Sequence, residues 1–341
     1  MAPTRTDACA CLPRGVAPPQ FDEPGGSAFR ACPGFAFNRS GCDDADEAAE
    51  RLHAWDQVYR QLSPGRFEGL TTEIWLDSIQ LFRERSNRRV HQAGRAWAGA
   101  VTFGIPLAIG CCAHFCGQAI GLDSLMVLEP GSEMDFLTST TLDLVGISIP
   151  HHRLPAFDAE ARRGHNRLIA MKPPMAARMR ALVRSLFDTI ESDPQRLAAA
   201  GVRTQIRDDL IEGLAGAIDG AGDTPIHPSH HPSRRALVQR ATDYALAHAD
   251  ETLSVERLCE VLGVSRRSLQ YAFERTLGCS PLEYLRTIRL HAVRSELKAT
   301  PRSVASIQDI AARWGFWHLG HFGTRYRQLF GCRPSETPRP A

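Results

Sequence analysis

Two stretches of this chain can be laid on one another: LCEVLGVSRRSLQYAFERTLGCSP at residues 258–281 and IAARWGFWHLGHFGTRYRQLFGCRP at residues 310–334. Leu258 matches Ile310 and Gly263 matches Gly315. After one extra residue in the second copy, Leu269 matches Phe322, Phe273 matches Tyr326, and Gly278-Cys279 matches Gly331-Cys332. A short helix, a Gly-containing turn and a second amphipathic helix make the helix-turn-helix pattern, whose second helix enters the major groove of DNA. One such match is a weak signal. Two in register are not.

Working outward, helix-start signals recur. Ser254 begins one helix and Ser265 caps the first recognition helix. Ser280-Pro281-Leu282-Glu283 combines an N-cap Ser, Pro at the first helical position and Glu at the third, and the helix it starts carries Leu282, Leu285, Ile288, Ala292 and Leu297 at core spacing. It should connect the two units. Ser306-Ile307-Gln308-Asp309 repeats the capping-box logic. With a first helix from Ser233, whose inward face is Leu237, Ala241, Tyr244 and His248, the module is expected to hold seven helices.

In the first recognition helix Leu269, Ala272, Phe273 and Leu277 share an inward face, leaving Arg266, Arg267, Gln270, Tyr271 and Glu274 outward. Arg is the commonest bidentate reader of guanine, and Gln can pair with adenine. In the second, Leu319, Phe322, Tyr326 and Leu329 are expected to pack while His318, His321, Thr324, Arg325 and Gln328 point away. Any three-helix segment has a polar face, usually just solvated. Duplication and local charge argue against that bland reading. Residues 232–341 hold 17 Arg and Lys against 10 Asp and Glu (+7), and the remaining 231 residues hold 23 against 28 (−5). A basic module joined to a mildly acidic larger piece suits DNA binding coupled to something that avoids phosphate.

Residues 1–40 are rich in Pro, Gly, Ala and Arg without periodicity and read as a flexible leader. Residues 43–61 carry helical spacing through Ala48, Leu52, Trp55 and Tyr59 until Ser63-Pro64-Gly65 breaks it. Residues 72–82 are strand-like, and short apolar runs follow at 96–105, 113–120, 125–128, 134–137 and 142–149, punctuated by Gly and Pro. That is the texture of a small antiparallel sheet or barrel. Residues 176–193 and 195–217 read as amphipathic helices, and the Pro/His-rich residues 224–232 as a linker. The expected fold class is therefore α+β: a β-rich, cupin-like or barrel-like sensor domain with helices at 41–223, the linker at 224–232, an all-α domain of two helix-turn-helix units at 233–335, and a tail at 336–341.

No run has the length of a bilayer-spanning helix, the N-terminus lacks a signal core, and the ten cysteines are irregularly spaced. A cytoplasmic protein with reduced thiols is expected. Cys111-Cys112-Ala113-His114-Phe115-Cys116 contains zinc-type ligands, but no second cluster completes a site, so a Cys-rich strand is the preferred reading and no metal is expected. No phosphate loop, Gly-x-Ser-x-Gly elbow or His-Glu-x-x-His is present, so an enzyme is not expected.

The duplicated module resembles the AraC/XylS family of bacterial transcription regulators over about residues 233–335. The resemblance implies base-reading positions at Arg267, Gln270 and Tyr271, and at Leu319, Gly320 and Thr324. It implies phosphate contacts near Ser265, Arg266, His318 and His321, with Arg325 beside them. That family favours polar residues where Leu319 and Gly320 stand, so the first unit is expected to carry most of the specificity and the second to contribute positioning, shape readout or thymine-methyl contact.

Residues 55–69, 73–84, 103–106 and 314–320 resemble the regulators of ethanolamine-utilisation operons. This implies an activator of an amine or ethanolamine catabolism operon whose N-terminal domain senses a small amine, in that group together with adenosylcobalamin. No Asp-x-His-x-x-Gly stretch that would hold a corrinoid is present, and other short amines suit the residues equally. An amine wants a carboxylate and an aromatic face. Glu73, Trp75, Asp77, Trp97, Phe103, Glu133 and Asp135 are the candidates; against them stands the reading that the aromatics are barrel core and the acids solvated edges. The alternative function is a regulator of another metabolic or stress operon with an unrelated effector or none. Expected partners are double-stranded promoter DNA, RNA polymerase and the effector. Homodimerisation is left open, and no membrane is expected.

Overall fold

Strands dominate the first half of the chain because its apolar runs are short, alternate in facing and end at Gly, Pro or Asp. The computed structural model describes residues 30–32, 34–110, 112–150, 153–154, 166–219, 222–225, 232–248, 251 and 254–340. Fourteen strands appear among them: β1 (Arg30–Cys32), β2 (Phe35–Cys42), β3 (Asp56–Gln61), β4 (Gly69–Leu76), β5 (Ile79–Ser86), β6 (Val90–Arg95), β7 (Ala100–Ile109), β8 (His114–Phe115), β9 (Gln118–Ala119), β10 (Ser124–Leu128), β11 (Glu133–Leu137), β12 (Leu142–Pro150), β13 (Arg167–Ala170) and β14 (Gly222–Pro225). They form two antiparallel sheets, one ordered β1-β2-β4-β5-β12-β7-β10-β13-β14 and the other β3-β6-β11-β8-β9.

The large sheet is buried on both faces. On one, Ile74, Leu81, Phe103, Ile105, Val127, Val145 and Ile147 pack against Met179, Val183, Phe187, Leu210 and Leu214. These come from two long helices, α2 (Pro173–Ser192) and α3 (Ala200–Asp219), with a 3₁₀ turn at Pro194–Ala198 between them. On the other, Met126, Leu128, Leu142 and Leu144 meet Phe115, Met134 and Phe136 of the small sheet. The result is three layers: helices, large sheet, small sheet.

Several expectations need correction. The leader was drawn to residue 40, but β1 and β2 already belong to the large sheet; residues 1–29 lie outside the described residues. The helix expected over residues 43–61 stops early. Helix α1 covers Ala45–Glu50, Ala54 turns left-handed (φ 65°), and β3 follows. The apparent helical spacing of Trp55 and Tyr59 was coincidental. Residues 72–82 form a hairpin rather than one strand, turning at Asp77 (φ 54°). Of the linker expected at 224–232, residues 224 and 225 belong to β14, which pairs with β13, residue 232 begins a helix, and residues 226–231 lie outside the described residues.

The C-terminal part is helical: α4 (Pro232–Ala247), α5 (Val255–Leu262), α6 (Arg266–Leu277), α7 (Pro281–Ala299), α8 (Ile307–Arg313) and α9 (Leu319–Phe330). Seven helices were expected; six α-helices form among the described residues, and a 3₁₀ turn, Pro334–Glu336, follows them. Two separate apolar cores form, with Leu258, Leu269, Phe273, Leu277, Leu285 and Ile288 in one and Leu290, Val293, Leu297, Ile310, Phe322 and Tyr326 in the other. Only α7 contributes to both.

Candidate nucleic-acid interface

Each unit is built by caps that the sequence encodes. Ser254 accepts from the amide of Arg257, Ser265 from Ser268 (3.1 Å) and Ser280 from Glu283 (3.3 Å), while Ser306 and Asp309 close a reciprocal capping box. Helices α6 and α9 have the same length, 12 residues, and both end at a left-handed glycine, Gly278 (φ 66°) and Gly331 (φ 74°). The duplication in the sequence is thus a duplication of helix, cap and exit turn.

Ser265, Arg266, Arg267, Tyr271, His318, Leu319, Gly320, His321, Thr324 and Arg325 are exposed, and Gln270 is half-buried. Leu319 does not pack inward as its helical spacing suggested. Its side chain is 41% exposed, because the core of the second unit is closed by Phe322, Tyr326, Leu329 and Phe330 one turn later. The Tyr271 ring is held between the guanidinium groups of Arg234 (5.0 Å) and Arg275 (5.3 Å), so an exposed aromatic is orientated before any partner arrives. Gln270 donates to Glu274 (2.6 Å), and Arg266 pairs loosely with Glu256 (3.3 Å). Arg267 is exposed at the start of the same helix.

One residue on this surface escaped sequence reasoning. Trp317, just before the N-cap of α9, is 63% exposed, second among the large apolar side chains of the described residues after Val304. The signal was present, since Trp317 sits in the second repeat where the first has no aromatic. His318 caps α9 without a side-chain bond, which leaves the first-turn amides pointing outward and suited to a phosphate.

The DNA-reading module also has a back face, and it sits on the sheets. Residues 284, 291, 294 and 298 form one stripe of α7. The Tyr284 hydroxyl lies 3.2 Å from His91 Nδ1, and His291 Nε2 donates to the Gln61 carbonyl (3.0 Å). Arg294 donates to Asp44, and Lys298 reaches Asp44 (2.6 Å) and Glu47 (2.7 Å). Burial alone would raise the pKa of Asp44, but the guanidinium of Arg294 and the ammonium of Lys298 outweigh it and hold the carboxyl at about 2. A second link runs from α4: Arg235 Nε to Asp135 (3.1 Å), and Asp135 on to His91 Nε2 (3.2 Å). Burial opposes the charge on Asp135 as well, and His91 and Arg235 keep its pKa below the ordinary carboxylate value.

The candidates for a sensor site separate into two groups. Glu73, Trp75 and Trp97 come together between the sheets. Glu73 is 1% exposed and accepts from Trp75 Nε1 (3.0 Å), Gln80 Nε2 (2.7 Å) and His53 Nδ1 (2.6 Å), and the Trp97 ring stands edge-on to Trp75 at 5.5 Å. The bond to Glu73 raises the His53 pKa and exceeds the opposing effect of burial. Cross-strand pairing puts Gln80, Ser148 and Thr102 on the same face as Trp75, and Phe82 on the same face as Glu73. Glu84 continues this face; burial pushes its pKa up to about 7, although Tyr59 donates to it at 2.7 Å.

Asp77, Glu133 and Phe103 do not join them. Asp77 is exposed at the hairpin turn, Glu133 is exposed and paired with Arg235 (3.7 Å), and Phe103 faces the helix side of the large sheet. Asp135, the remaining acid considered, serves the contact with α4. Cys112 and Cys116 both sit at left-handed turn positions (φ 70° and 48°) flanking β8, so they do not share a strand face with His114. No cluster able to hold a metal ion occurs among the described residues. No helix among them is long and apolar enough to cross a membrane.

Two length-matched recognition helices with exposed arginines, each ended by a left-handed glycine and hung from one helix, define a tandem helix-turn-helix DNA-reading protein carrying a β-rich companion domain. Comparison with known proteins agrees. A family model described as a helix-turn-helix domain matches residues 258–339. The probable thc operon regulatory protein of Rhodococcus erythropolis is 35% identical over 160 residues, covering 47% of this chain and 48% of that protein, so the chain spans about half the length of that relative. The XylDLEGF operon transcriptional activator 2 of Pseudomonas putida is 34% identical over 115 residues, covering 32% of this chain and 73% of that protein. The solved structure of the AraC-like transcriptional activator CuxR is 13% identical and covers 74% of this chain and 94% of its own, with a TM-score of 0.44. This chain belongs to the AraC/XylS family of helix-turn-helix transcription regulators.

Proposed function

We propose that this protein binds promoter DNA through α6 and α9 and activates transcription of an amine-catabolism operon in response to a small cationic amine held by the N-terminal domain. The observation that supports DNA reading is the paired exposure of Arg266, Arg267 and Tyr271 on α6 and of His318, Leu319, His321, Thr324 and Arg325 on α9. In this reading Arg267, Gln270 and Tyr271 read bases, Thr324, Leu319 and Gly320 meet the second groove segment, and Ser265, Arg266, His318, His321 and Arg325 position the backbone. Two groove segments about 34 Å apart along the duplex suit one rigid pair of helices.

The amine assignment rests on Glu73. This deeply buried carboxylate beside Trp75 already bonds the His53 imidazole, whose side chain is 41% exposed. A primary ammonium would take the same oxygen when His53 swings out, with the Trp75 and Trp97 rings alongside. Effector binding then biases how the reading helices sit on the promoter and present to RNA polymerase. Isothermal titration with ethanolamine and other short amines, on the wild type and on Glu73→Gln, is the test. Heat release by the wild type alone supports the assignment; no heat from any amine refutes it. The relatives named as thc and XylDLEGF operon regulators favour a second reading, in which the regulated operon and its effector are unrelated to amines. Gel shifts with selected operator and random DNA, with and without amine, separate the two.

A further inference from the structure

The two helix-turn-helix units share no apolar core and are joined through α7. A single connecting helix leaves each unit able to twist about it. Yet one short piece of the sensor domain touches both. Between β3 and β4, Leu62 packs against the apolar cluster of the first unit. Gln61 Nε2 donates to the Leu329 carbonyl at the end of α9 (2.6 Å), and the Gly65 amide points at the Gln328 and Leu329 carbonyls (2.9 and 3.1 Å).

The contacts fall on equivalent places in the repeat. Gly331, which ends α9, lies so near the loop that a Cβ on it would come within 2.6 Å of the Arg66 backbone nitrogen. Gly278, which ends α6, lies under the Arg89 guanidinium at the same spacing, 2.6 Å from a built Cβ. Arg89 is tied to the loop, since its carbonyl accepts from the Leu62 amide (2.8 Å). The last carbonyls of a helix lack partners within it and carry the negative end of its dipole; Gln61 and Gly65 donate to those of α9, and the Arg89 guanidinium sets positive charge beside the end of α6. The opposite ends of α6 and α9, with their exposed readers, stay uncovered.

We propose that the segment Gln61 to Arg66 together with Arg89 is a brace that fixes the spacing and relative rotation of the two recognition helices, making Gln61, Leu62 and Arg89 positioning residues for DNA reading. The proposal rests on the DNA-binding assignment above. It requires the sensor to act on operator geometry, through the far ends of the reading helices, rather than by covering them.

The test uses the full chain. An operator is selected from random DNA with the wild type, and a series is made in which the two groove-facing half-sites are moved apart or together by one and two base pairs. The wild type should favour one spacing by tenfold or more. Gln61→Ala/Arg89→Ala should flatten that preference to within about threefold while keeping the base preference inside each half-site. Unchanged spacing selectivity overturns the brace, and so does an equal loss of affinity at every spacing, which would mark the contacts as structural support only. If the double variant melts below the wild type, Arg89→Lys is read in the same series with the same two outcomes. Failure of the wild type to select any operator refutes the DNA assignment instead, a result distinct from both.

Discussion

Removing Asp44 should uncouple the sheets from the reading module at a cost that can be worked from its surroundings. Its carboxylate is 3% exposed, caps α1 through the Asp46 amide (2.9 Å), and is shared by Arg294 and Lys298. A fall from the ordinary 3.8 to about 2 is nearly two pKa units. At about 1.4 kcal/mol per unit this is roughly 2.5 kcal/mol of preferential stabilisation of the charged form. The lost cap adds about 1 kcal/mol. Asp44→Ala should therefore destabilise the chain by about 3–4 kcal/mol, the range for stranding one partner of a buried pair. Arg294, 7% exposed, would be left with Tyr326 and Cys332. Because the folded pKa lies below the unfolded one, the 2.5 kcal/mol is present above pH 4 and is lost as pH falls through 2. Urea unfolding followed by tryptophan fluorescence, in a cycle with Arg294→Met, measures it, with a coupling of about 2 kcal/mol expected. A loss below about 1 kcal/mol for Asp44→Ala, or a coupling near zero, would refute the reasoning.

Arg267→Ala should cost roughly 1–3 kcal/mol of operator affinity and relax one base position, whereas Arg266→Ala should weaken all sequences alike; competition gel shifts distinguish them, and wild-type affinity for both variants would misplace the reading face. Trp317→Ala should weaken operator binding several-fold, and an operator scanned with uracil for thymine should show a methyl contact that the variant no longer feels. If every uracil is tolerated equally by both proteins, Trp317 is not a reader. Glu84 behaves oppositely to Asp44: its folded pKa, about 7, lies above the ordinary 4.5, so stability should fall as pH rises between those values, by roughly 3 kcal/mol at most. Glu84→Gln should remove that slope, which melting curves from pH 4.5 to 8 would show.

How much of this was legible follows from where the partners lie. The helix-turn-helix units could be read because every determinant is local: a Ser cap, a Gly exit and an apolar stripe within about twenty residues. The strands could be read as short punctuated runs, but β3 could not, since Trp55 and Tyr59 happen to be spaced as on a helix. Glu73 and Trp75 could be grouped because a carboxylate beside an aromatic is unusual in a strand, whereas the approach of Trp97 to Trp75 is set by the fold. Phe103 was misassigned because alternation says which residues share a face but not which face is inner. The α7 stripe of Tyr284, His291, Arg294 and Lys298 lies outside the Leu282, Leu285, Ile288, Ala292 and Leu297 spacing that marks the core. Its partners, from Asp44 to His91, are some two hundred residues away, and nothing local announces them.

Those distant partners change the meaning of the charge split between the two parts. The −5 of the first 231 residues looked like avoidance of phosphate. In the fold several of those acids are instead spent on the basic module: Asp44 and Glu47 on α7, Glu133 and Asp135 on Arg235. The +7 is correspondingly thinner where DNA would lie. Arg294 and Lys298 face the sheet domain, Arg289 binds the carbonyls of Ala245, His248 and Glu251, and Arg339 those of Thr300, Pro301 and Ala305. On the two reading helices themselves the exposed cations are Arg266, Arg267, Arg275, Arg325 and Arg327. A surface with few cations draws less of its affinity from phosphate neutralisation and more from the placement of individual side chains. On the proposed brace, the relative pose of the two recognition helices is then the quantity on which operator choice depends, and the sheet domain is joined to the module along the helix that sets it.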